Sequence, residues 1–161
     1  MYNPVSTYRP QLNDSFTLAH VEALLPYLRD LSITTIYAAP IFAATPGSTH
    51  GYDGVDPTRI APEIGTRQQL TKVANKLKAN GMGRIQDIVP NHMAYHQHTT
   101  WLVDLLEKGS LSRYYDFFDL TGTTDGNYER IMAPFLGESL SAVLENSGLR
   151  VVNREFGIFT P

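Results

Sequence analysis

Over residues 1–92 the chain alternates strand-like and helix-like segments, and no other feature restricts its fold so tightly. Residues 34–39 (TTIYAA) are β-branched and apolar, and Pro40 stops the run, so they read as a short buried strand. Ahead of them, Leu18, Val21, Leu24, Leu25, Leu28 and Leu31 recur at helical spacing. Residues 17–31 are therefore expected to form an amphipathic helix, kinked or split at Pro26. Further on, Thr66 and Gln69 match a capping box, and Leu70, Val73, Ala74 and Leu77 make a buried stripe. Gly81 then supplies a left-handed terminator. Residues 83–89 read as a further strand, and 6–12 as a first strand weakened by Pro10. Strands that alternate with helices pair in parallel through right-handed crossovers, which makes this part of the chain α/β.

The rest is less regular. Residues 100–108 should form a short helix ended by Gly109, residues 139–146 another, and 149–153 and 156–159 two short strands. The change of character near Asn91 suggests that 93–161 is an insertion leaving the α/β part, 1–92. A length of 161 residues with 42% hydrophobic side chains suffices for a packed core. Net charge is -3 and the basic residues are scattered, which argues against a nucleic-acid binder. No apolar run approaches the roughly 20 residues of a membrane span. The first residues show no basic segment followed by an apolar one, so no secretory signal is expected. Cysteine is absent, which excludes disulfides and thiolate chemistry and is compatible with a reducing compartment. A cytoplasmic location is expected.

Most chemically capable side chains fall in the segments after the second and third of these strands. In parallel α/β folds ligands bind at the carboxyl ends of strands, where such loops converge. The segment after Pro40 runs on to the Thr66 cap, longer than most connections, and it carries His50, Tyr52, Asp53 and Asp56. After the third strand come Asp87, Pro90, Asn91 and His92. Alternation puts Ile85, Asp87 and Val89 on one face and Gln86 and Ile88 on the other. If Asn91 continues that geometry, Asp87 and Asn91 become polar anchors for a sugar. Tyr52 can then stack on the apolar face of the ring, and His92 can hydrogen-bond a hydroxyl.

The segments STYR (6–9), PGSTHGYD (46–53), VDPTR (55–59) and DIVPNHMA (87–94) resemble the maltooligosyl trehalose synthases, a branch of the alpha-amylase family of glycoside hydrolases. The D-x-x-x-N-H pattern of Asp87, Asn91 and His92 alone is weak. In order with the other segments it is specific, and residues 134–137 (PFLG) extend the resemblance to nearly the whole chain. The resemblance implies a (β/α)8 barrel, of which the chain would supply the first three β/α units and the start of the insertion after strand three. It implies conversion of the reducing end of a maltooligosaccharide into a terminal trehalose unit by retaining intramolecular transglycosylation, in which one carboxylate attacks and a second acts as acid and base. By position, Tyr52 would stack beneath the sugar ring and His92 bind one of its hydroxyls. Asp87 would orient its neighbours and Asn91 hold the loop, with His50 and Asp53 also matching the motif. The family's catalytic carboxylates lie on later strands, so no catalytic residue is expected here and the 161 residues alone should be inactive. The implied partner is an alpha-1,4-glucan. No cofactor or protein-bound metal is expected, apart from a structural calcium that many amylases hold near the position of Asn91. Pro10, Gly54 and Gln86 depart from the family's usual residues.

Other readings stand beside these. Asp87, Asn91 and His92 can be a strand end with an Asx-type turn, and Tyr52 a packed loop aromatic. Asp56 and Arg59 fit a structural pair better than ligands. If residues 92–96 were helical, His92 and His96 would share a face and invite a transition metal, but no carboxylate accompanies them. Tyr114, Tyr115, Phe117 and Phe118 are expected in a core. At the level of function the alternatives are a glucan-binding module, or one half of a split amylase-family hydrolase. The latter would join its missing barrel half, or self-associate, through an exposed sheet edge.

Overall fold

A computed structural model describes residues 3–122, 129–131, 136 and 138–149. The chain divides into two compact units, Met1–Ala94 and Tyr95–Pro161. The first opens with β1 (Thr7–Tyr8), α1 (Leu18–Asp30) and β2 (Thr35–Ala38). A two-stranded ribbon follows, β3 (Phe42–Ala44) and β4 (Gly54–Ile60), and then α2 (Arg67–Ala79) and β5 (Gly83–Gln86). Strands β1, β2 and β5 form a parallel sheet in that order, with Thr7 beside Thr35 and Thr35 beside Gly83. The parallel α/β reading of 1–92 is what the structure contains.

Individual boundaries differ. The first strand is two residues long rather than seven, because Pro10 has no N–H for a ladder. Pro26 does not split α1: its ring sits on the exposed side, so a single ladder bond is lost while Val21, Leu25 and Leu28 stay buried. The supposed loop after Pro40 contains the antiparallel β3–β4 ribbon, registered Phe42 to Ile60 and Ala44 to Gly54 with bulges between. Pro57 is tolerated there because a two-stranded ribbon is all edge. β5 ends at Gln86, three residues early, although the Asp87 N–H still donates to the Ala38 carbonyl at 3.0 Å.

One face of the sheet is covered by the helices. Ile36 and Ala38 pack with Val21, Leu25 and Leu28 of α1 and Val73 and Leu77 of α2. The capping box of α2 is present, with the Gln69 N–H donating to Thr66 Oγ1 at 3.2 Å and the Thr66 N–H donating to Gln69 Oε1 at 2.8 Å. Glu22 of α1 pairs with Lys72 and Lys76 of α2, which hold its carboxyl below the ordinary range. Gln86, which departs from the family pattern, shares this face and is partnered. Its amide donates to the carbonyls of Ala39 (2.9 Å) and Asp87 (2.8 Å), and its carbonyl accepts from Arg84. The opposite face carries Tyr37 and Ile85, and Ile85 is 43% exposed.

In the second unit, α3 (Thr100–Lys108) ends at Gly109, whose φ of +56° suits glycine. Beyond it lie the ribbon β6 (Leu120–Gly122) and β7 (Glu129–Ile131), and α4 (Leu140–Glu145), capped by Ser139. The aromatics expected in a core are not buried: Tyr114, Tyr115 and Phe118 are half-buried and Phe117 is 65% exposed. Tyr114 and Phe117 instead cluster on Trp101, with Tyr114 stacked at 5.1 Å and Phe117 edge-on at 5.2 Å. The expected strands 149–153 and 156–159 and the PFLG segment lie largely outside the described residues.

Candidate functional site

Three stretches of the first unit converge at the carboxyl end of its sheet. Arg9 follows β1, the 45–53 segment sits between β3 and β4, and Asp87 follows β5. Tyr52 is at the centre. Its hydroxyl donates to Asp87 Oδ2 at 2.6 Å and accepts from Arg9 Nη2 at 2.8 Å. Arg9 Nη1 reaches the same carboxylate oxygen at 3.0 Å, and its guanidinium lies over the Tyr37 ring, 4.6 Å from the centroid. The hydrogen bond from Tyr52, then those from Arg9, hold the Asp87 carboxyl below the ordinary range against the opposing pull of burial. Conversely, donation to Asp87 raises the Tyr52 phenol.

The Tyr52 backbone is held by two imidazoles. Its N–H donates to His50 Nδ1 at 3.0 Å, and its carbonyl lies 3.1 Å from His92 Nε2. A carbonyl only accepts, so this contact needs the proton on His92 Nε2. The His50 ring also stacks on Tyr52, centroids 5.8 Å apart. Because His50 Nδ1 already accepts the Tyr52 N–H, its 3.7 Å approach to Asp53 is a proximity rather than an ion pair. Tyr52 is left 39% exposed.

Asp53 fastens the loop from within. It accepts from the hydroxyls of Thr45 and Ser48, and its carbonyl accepts the Thr45 N–H at 3.1 Å. Burial pushes the Asp53 carboxyl up, but the hydrogen bonds from Ser48 and Thr45 outweigh it and the net shift is downward. Gly51 has φ +75°, and a Cβ there would come within 3.1 Å of the Pro40 side chain. The turn thus needs glycine for conformation and for space.

Of the residues singled out from the sequence, Tyr52, Asp87, His50 and His92 come together directly, and Asp53 braces the same loop. Asn91 is exposed in a bend beyond β5, where the strand alternation no longer applies. Residues 92–96 are not helical, which removes the shared face invoked for His92 and His96. Asp56 and Arg59 do pair, at 3.0 Å. Among the described residues no group of three or more His, Cys, Asp or Glu is placed to hold a metal. Calcium takes six to eight oxygen ligands, so Asn91 does not by itself make a site for it. Arg9 and Tyr37 join the site through contacts that only the folded chain makes. Arg9 lies in the STYR segment, but its partner is 78 residues away and no local pattern reveals that.

Comparisons with known proteins show which family the chain falls in. The family described as alpha amylase, catalytic domain, matches residues 13–141, well over half of the chain. A putative maltooligosyl trehalose synthase of Mycobacterium tuberculosis (strain H37Rv) is 41% identical over 141 residues, covering 83% of this chain and 18% of the relative. The intracellular maltogenic amylase of Bacillus subtilis (strain 168) is 34% identical over 131 residues, covering 79% of the chain and 22% of the relative. A crystal structure of maltooligosyl trehalose synthase superposes with a TM-score of 0.77 at 38% identity, covering 94% of this chain and 21% of that one. The chain thus spans about a fifth of the length of the proteins it resembles.

Proposed function

We propose, because the chain belongs to the alpha-amylase family, that its first unit supplies part of the substrate site of an enzyme acting on alpha-1,4-glucans. The observation that carries this reading is the juxtaposition of Tyr52 and His92. The Tyr52 ring is tethered through its hydroxyl, its backbone N–H and carbonyl are held by His50 and His92, and the His92 imidazole thus sits at the Tyr52 main chain. A glucose unit presents an apolar ring face rimmed with hydroxyls, and this pair matches both. Tyr52 is proposed to stack on the ring and His92 to bind a hydroxyl. Asp87 orients Tyr52 and its neighbours, while His50 and Asp53 shape the loop and Asn91 holds the segment after β5.

For the whole enzyme we take the reaction suggested by the maltooligosyl trehalose synthase likeness, conversion of a reducing end into a trehalose unit by retaining transglycosylation. In this reading β1, β2 and β5 with α1 and α2 are the first two β/α units and the third strand of a (β/α)8 barrel, and 93–161 begins the insertion after strand three. No residue of the chain is assigned as nucleophile or acid/base, and we take its location to be cytoplasmic. Among the described residues no helix is long and apolar enough to cross a membrane.

Titration calorimetry with maltohexaose tests the site, and product analysis tests the chemistry. We expect binding that weakens about tenfold or more in Tyr52→Ala, equivalent to about 1.4 kcal/mol, and no trehalosyl product or loss of reducing ends. Absence of binding sinks the glucan reading; turnover sinks the assignment of catalysis to other residues. A second reading, half of a split hydrolase, is favoured by the exposure of Ile85 (43%) on the edge strand β5 and of Ile88 (56%) just after it, and by the maltogenic amylase likeness.

A further inference from the structure

The Tyr52 hydroxyl has one hydrogen and two lone pairs to offer. The hydrogen goes to Asp87 and a lone pair takes the Arg9 N–H, so no donor remains for a ligand. Arg9 connects elements that share nothing locally: it leaves the end of β1 and grips Tyr52, 43 residues on, and Asp87, 78 residues on. Its planar fork makes this possible, with Nη1 on the carboxylate, Nη2 on the phenol and the guanidinium face over Tyr37. A lysine is a single point charge and cannot place two fixed donors this way. The Asp87 side chain is only 16% exposed, so this pair is less screened than one on the open surface.

We propose that Arg9 is a positioning residue of the glucan site, locking the Tyr52 phenol against Asp87 so that Tyr52 offers a sugar its ring face and no hydrogen-bond donor. This rests on the glucan reading above and adds how the stacking face is held. Without Arg9 the phenol keeps one strong bond and gains freedom to swing about it, and the carboxylate loses its cation. The groups facing Asp87 are Arg9 after β1, Tyr37 of β2 and Tyr52 of the loop, with His50 and His92 behind Tyr52.

The test uses the full chain with Arg9→Gln and Arg9→Lys, read by maltohexaose calorimetry and by carboxyl-carbon NMR titration of Asp87 without glucan. In Arg9→Gln we expect affinity to fall about tenfold and Asp87 to titrate closer to the ordinary carboxylate range. In Arg9→Lys the Asp87 titration should return towards wild type while affinity stays low, a split that loss of fold cannot produce. Wild-type chain that does not bind maltohexaose overturns the glucan reading and this inference with it. Wild-type chain that binds, with Arg9→Gln binding equally well or Arg9→Lys restoring affinity fully, overturns this inference alone.

Discussion

At the scale of single residues, the site depends on carboxylates that already have partners. Asp53 is held below the ordinary carboxylate value of about 3.9. A depressed folded value means that its stabilisation is fully present above the ordinary pKa and is lost as pH falls through the folded one. Asp53→Asn should therefore lose about 1–2 kcal/mol at pH 7 and show a shallower loss on acidification than wild type, read by urea midpoints across pH. Equal acid slopes for the two proteins would refute the role of Asp53 as loop anchor. Tyr52, Asp87 and His92 were legible because they sit in ordered motifs. Arg9 was not, because its value arises from a contact across 78 residues.

Secondary-structure elements followed their local signals unevenly. The α2 cap was readable because both of its hydrogen bonds close within three residues, between Thr66 and Gln69. Thr66→Ala should cost about 1 kcal/mol. Leu28→Ala, which empties a site only 1% exposed where α1 packs, should cost about 2–5 kcal/mol. Chemical denaturation checks both, and a larger loss from the cap than from the core position would contradict this packing. The β3–β4 ribbon was not readable, since its pairing of Phe42 with Ile60 joins residues that Gly51, Gly54 and Pro57 locally mark as loop. Pro26 misled in the other direction: tertiary burial of Val21, Leu25 and Leu28 keeps α1 continuous across a residue that breaks isolated helices.

Across the molecule, the parallel sheet is covered by α1 and α2 on one side, while its edge strand β5 has no outer neighbour among the described residues. Parallel sheets are normally buried on both faces, yet Ile85 of β5 is 43% exposed, and Ile88, just beyond the strand, is 56% exposed. We expect the chain to self-associate with rising concentration in light scattering and to bind an apolar dye. A monodisperse monomer with a cooperative melt and no dye binding would argue against an exposed edge. The class of fold was set by periodicity, because hydrophobic spacing is a local property that the chain carries wherever it goes. So was the identity of the loop residues near the site, through motif order. Which of those residues touch was not, nor was the extent of each strand, nor the entry of Arg9. Hydrogen bonds between groups far apart in the chain exist only once burial of Ile36, Ala38, Leu28 and Leu77 has brought the strand ends together.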